Sequence, residues 1–152
     1  MLETWLVIIP RTLLAYLFLA AGADGFSSIL RGKEIFDAPL SEVGKEFINN
    51  LKRHPVIWGM KASIDLFAGL MLMLNFHAPL AYLLILPSAV VIILFQFSVN
   101  KVGPVGILLT VLMLALGGHY YSFYTPFLTA EDGRGPLASG PYGHPDNLPP
   151  ME

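Results

Sequence analysis

Four runs of about twenty residues, each almost free of formal charge, constrain this chain more than any motif does. They cover about 5–30, 56–76, 79–99 and 105–127. The hydrocarbon core of a bilayer is about 30 Å thick, and a helix needs ~20 apolar residues to cross it. The third run has no formal charge, and its polar members are Ser88, Gln96 and Ser98. Inside lipid the backbone must satisfy its own hydrogen bonds, which leaves helices or a closed barrel. The alternation of barrel strands is missing here, so the runs read as helices. Residues 75–79 and 100–104 make connections short enough to force antiparallel neighbours. The expected fold is an all-α integral membrane protein, a bundle of four transmembrane helices within residues 1–128.

Composition agrees with that reading. Charged residues make up 13% of the chain, about half of the ~25% usual in a soluble domain. The absence of cysteine excludes a disulfide scaffold, a thiol redox centre and a cysteine-ligated metal site. A net charge of −2 leaves no basic footprint for nucleic acid. Ala21-Gly22-Ala23 imitates a signal-peptide cleavage site. The segment before it opens with Glu3 and has no basic residue ahead of Arg11, so the first run is expected to be retained.

The one long connection spans residues 31–55. Leu40, Val43, Phe47, Ile48 and Leu51 fall on one helical face, with Glu42, Lys45, Glu46 and Lys52 off it, and Ser41 suits an N-cap. This predicts an amphipathic helix between the first two spans, lying in the membrane interface. A solvated hairpin loop is the alternative. Arg31, Lys33, Lys45, Lys52, Arg53 and Lys101 fall on one side of the membrane, against Arg134 and a marginal Arg11 on the other. The positive-inside rule then places both termini outside and the 31–55 connection in the cytoplasm. Residues 129–152 are rich in proline and glycine and read as a flexible tail, or one draped on a partner.

A charge at the bilayer centre costs at least about 2.5–3.5 kcal/mol, so each needs a partner or a task. The topology puts Asp24, Lys61 and Asp65 in one layer, with Lys61 and Asp65 on one face at i, i+4, and Gln96 reaches that level. The expectation is a polar cluster Asp24–Lys61–Asp65 with Gln96 attached. It reads either as an ion-pair clamp that fixes helix register or as a head-group site or proton relay. Arg11, toward the opposite face, either snorkels outward or meets an anion or carbonyl. His77, His119 and Tyr120 lie toward that outer side and are candidate quinone or haem contacts. Haem is disfavoured, because His77 stands in a turn beside Pro79. No catalytic residue, metal site or covalent cofactor emerges. Trp5, Trp58, Tyr82 and the aromatics of 120–124 read as interfacial anchors. Ala21, Gly25, Gly59, Ser63, Gly117 and Gly118 read as points of close helix approach.

Two segments resemble the DoxX family of small four-helix bacterial membrane proteins. The first is Arg11-Thr-Leu-Leu-Ala-Tyr-Leu-Phe-Leu-Ala-Ala-Gly22-Ala-Asp24-Gly-Phe. The second is Lys61-Ala-Ser-Ile-Asp65-Leu-Phe-Ala-Gly69-Leu-Met-Leu-Met-Leu. The likeness extends to about residue 127. The family more usually carries lysine near Asp24 and glutamate at the place of Asp65, so the charge pattern is partly exchanged here. The resemblance implies an inner-membrane subunit of a quinone-linked redox complex. Such a subunit would be at most an accessory one, offering a quinone or lipid pocket and anchoring other redox subunits. Arg11, Asp24, Lys61, Asp65 and Gln96 would then contact the head group or relay protons. The rival readings are a non-enzymatic membrane scaffold or assembly subunit and, third, a small transporter that would need homo-oligomerisation to form a pathway.

Overall fold

The computed structural model describes residues 2–36, 40–101 and 103–128. Secondary structure among them is entirely helical. In chain order it comprises α1 (Leu2–Arg31), α2 (Glu42–Lys52), α3 (Pro55–Met73), α4 (Ala78–Phe95) with a π-helical turn continuing it over Gln96–Asn100, and α5 (Gly103–Leu128). Four stretches are long and apolar enough to cross a membrane: Trp5–Arg31, Pro55–Met73, Ala78–Asn100 and Gly103–Thr125. Each coincides with an expected span to within a few residues. The proposed tail at 129–152 lies outside the described residues.

Local chemistry sets the boundaries. Proline stands in the first turn of both α3 and α4, where its missing N–H would have had no helical partner. The α3–α4 connection is tight because Asn75 and His77 adopt left-handed backbone at φ 54° and 46°. The Phe76 N–H donates to the Met71 carbonyl at 2.9 Å, closing the end of α3. The connection at 31–55 does contain a helix, α2, with Ser41 as its N-cap as its sequence suggests.

The described residues fall into two compact units that divide between Gly118 and His119. In the first, α1 and α3 run antiparallel at backbone distance. A methyl group at Gly25 would stand 2.7 Å from the Ala62 Cβ, and one at Gly22 would stand 2.7 Å from the Leu66 backbone nitrogen. One at Gly69 would stand 2.9 Å from the Leu19 nitrogen, so only hydrogen fits at all three positions. Helices in lipid gain nothing from leaving one oily medium for another, and close backbone packing is the attraction that remains. Leu14, Phe18, Ala62, Ala68 and Leu72 are buried along this seam or beside it. Across α4, the Tyr82 hydroxyl donates to the Met113 carbonyl of α5 at 3.0 Å, and Gly117 leaves room for that ring. Leu6, Leu17, Phe67, Leu83 and Val91 face outward and are exposed, an apolar exterior suited to lipid. In the second unit the end of α5 presents His119 and Tyr120 with ring centroids 5.3 Å apart.

Candidate functional site

Asp65, on α3, is the one charged side chain among the described residues with no exposed surface. Lys61 precedes it by one turn on the same face, and its Nζ lies 2.6 Å from Asp65 Oδ2. From α4, Ser88 Oγ donates to the other carboxylate oxygen at 2.9 Å. Both oxygens are therefore engaged, and the two formal charges cancel. This arrangement lets an ion pair exist in low dielectric, where an unpaired charge would be heavily penalised. The Lys61 side chain keeps 29% of its surface exposed. Its ammonium lies 5.4 Å from the centroid of the Trp58 ring, within the range of a cation–π contact. Trp58 Nε1 in turn donates to Ser28 Oγ of α1 at 2.8 Å. Lys61 is thus held by its own helix, while the indole beside it is held by another.

A groove of about 470 Å³ opens beside this pair, between α3 and α4. That volume is within the ~300–1,000 Å³ typical of small-molecule sites. Met60 and Ile64 form one wall, and Leu84 and Val91 the other. Leu51 of α2 also lines it, and Lys61, Asp65 and Ser88 are its polar members. Because the Asp65 carboxylate has no exposed surface, an occupant would meet the Lys61 ammonium and the Ser88 oxygen. The arrangement is an oily slot with a small polar end, able to hold the head of a lipid-soluble molecule by one or two hydrogen bonds.

The structure divides the expected four-residue cluster. Lys61 and Asp65 pair as expected, but Asp24 does not join them. Its Oδ1 accepts from the backbone N–H of Ile35 at 2.6 Å and of Phe36 at 3.0 Å. The reason is rotation, not depth. Gly22 and Gly25 turn the α3-facing side of α1, and Asp24 lies about 100° round the helix from Gly25. Gln96 is also elsewhere: in the π turn it accepts from Asn100 Nδ2 at 2.9 Å. Asn100 Oδ1 in turn accepts from the Ser41 N–H at 2.6 Å, so Gln96 supports the docking of α2. Arg11 donates to Asn75 Oδ1, which ties α1 to the α3–α4 turn. His77 occupies that same turn as the residue before α4, its ring edge-on to Phe76 at 4.3 Å. His119 and Tyr120 belong to the second unit. Among the described residues no three His, Asp or Glu side chains are grouped to hold a metal ion.

Three participants escape a reading by sequence. Ser88 looks like an incidental polar residue, although it lies about as far beyond the α3–α4 turn as Asp65 lies before it. That equal spacing in an antiparallel pair is the signal that would have found it. Trp58 reads as an interfacial anchor, yet it packs against the ammonium groups of both Lys61 and Lys52, the latter at 5.5 Å. Lys52 also pairs with Glu34. Burial draws the Lys52 ammonium below its usual range, and the Asp24 carboxylate opposes that shift. Comparison with protein-family models, with curated proteins and with solved structures finds no match to this chain.

Proposed function

We propose that this chain is an accessory, non-catalytic membrane subunit of a quinone-linked redox complex, whose α3–α4 groove receives the head of a lipid-soluble quinone. The observation that carries the reading is the juxtaposition of an apolar slot of about 470 Å³ with the Lys61–Asp65–Ser88 group at its polar end. Lys61 would donate to a ring carbonyl, Asp65 would hold that ammonium in place, and Ser88 would hold Asp65. The DoxX-like segments around Arg11–Asp24 and Lys61–Asp65 point the same way. In this reading the chain lies in a bacterial inner membrane with its termini outside and α2 along the cytoplasmic interface, beside partner redox subunits.

Purification with native lipid retained, followed by mass spectrometry of what accompanies the protein, tests the reading. About one quinone per chain is expected, falling several-fold in Lys61→Met, together with a redox subunit carrying flavin or haem. Phospholipid alone, with no redox partner, would replace this reading with that of a membrane scaffold.

A further inference from the structure

We infer that the groove selects uncharged head groups bearing a hydrogen-bond acceptor and turns away anionic amphiphiles, and that Asp65 sets this selectivity. The inference rests on the groove being a ligand site, as proposed above, and concerns which chemistry it admits. An isolated lysine at the end of an oily slot would attract a carboxylate or phosphate. Lys61 is not isolated: Asp65 Oδ2 already neutralises it at 2.6 Å, and Ser88 fixes the carboxylate from the other helix. Behind Trp58, Lys52 is paired with Glu34 and also feels the Asp24 carboxylate, so no unpaired cation stands there. The polar end itself, Lys61 with Asp65, carries no net charge.

An incoming anion that reached the Lys61 ammonium would stand within a few ångströms of the Asp65 carboxylate. The surrounding walls are aliphatic, so the repulsion would be weakly screened. A carbonyl oxygen can take an N–H of the same ammonium without adding charge. Cationic heads fail on both counts, since Lys61 repels them and they bring no acceptor. Ketones, quinones and esters fit; fatty-acid carboxylates and acidic lipids do not.

The test uses tryptophan emission from the full-length chain in detergent. The sequence has two tryptophans, Trp5 and Trp58. Trp5→Phe leaves the indole beside Lys61 as the sole reporter. A short-tailed benzoquinone should quench it saturably. Competitors with one common alkyl tail, ending in a methyl ester or a free carboxylate, are then compared above about pH 9, where the acid is ionised. The ester should displace the quinone at about tenfold lower concentration than the carboxylate, a difference of one decade in Kd. Asp65→Asn should reverse that order, because Lys61 then lacks its counter-charge; an order left unchanged in Asp65→Asn would overturn the part given to Asp65. A carboxylate that competes as well as the ester in the unsubstituted site overturns the selectivity and leaves quinone binding standing. The absence of any saturable quenching instead overturns the groove as a ligand site, and this inference with it. Should Asp65→Asn fail to fold, the ester–carboxylate comparison in the unsubstituted site still decides the matter.

Discussion

Asp65 tolerates complete burial because its two partners arrive from different helices, Lys61 one turn back on α3 and Ser88 across from α4. Removing one member of such a pair leaves an unpaired charge in low dielectric, a loss of ~3–5 kcal/mol, whereas replacing both by apolar groups of similar size is nearly neutral. Asp65→Ala is therefore expected to lower thermal stability in detergent strongly, and Lys61→Met combined with Asp65→Leu to restore most of it. If the double substitution is as unstable as Asp65→Ala, the pair does more for the fold than neutralise itself. The position of Asp24 makes a related point. The same residue type at the same depth serves the backbone of Ile35 and Phe36 because it points about a quarter-turn away.

At the scale of the element, α2 depends on one polar junction. Ser41 Oγ accepts from the Gly44 N–H at 3.0 Å and donates to the Val99 carbonyl at 3.2 Å, while the Ser41 N–H donates to Asn100 Oδ1. The π-helical turn at Gln96–Asn100 carries the buried Asn100 to that place, a use of the extra residue per turn that such turns often serve. Phe47 adds a ring contact with Phe95 at 5.4 Å. Asn100→Ala leaves the Ser41 N–H without this acceptor, at a cost of ~1–3 kcal/mol. Amide exchange across residues 44–52 is expected to accelerate while α3 and α4 stay protected; unchanged exchange in α2 would mean that Phe47 and its neighbours suffice. The cap was legible in sequence, since serine preceding an amphipathic run is a local signal. Its docking on Asn100 was not, because a residue some sixty positions away looks like part of a turn.

Across the whole molecule, the orientation expected from the basic residues is open to thiol labelling at introduced cysteines, because the chain has no cysteine of its own. In the first unit the connection after α1, α2 and the end of α4 lie together, and Lys33, Lys45, Lys52, Arg53 and Lys101 gather there. Arg11 and Asn75 mark the opposite end. In intact cells, a membrane-impermeant maleimide should label Phe76→Cys and spare Asn50→Cys. The reverse pattern would invert the proposed orientation. Number, length and order of the membrane-spanning helices, the α3–α4 turn, the existence of α2 and the Lys61–Asp65 pair were all readable, because each depends on residues close together along the chain. The Asp65–Ser88 bond, the diversion of Asp24 and Gln96, and the groove were decided only by tertiary structure. The spans are apolar all round, so no amphipathic stripe in the sequence announces which face turns inward. That rotation comes from where two backbones can touch, at Gly22, Gly25 and Gly69, and touching is a property of the pair of helices rather than of either one.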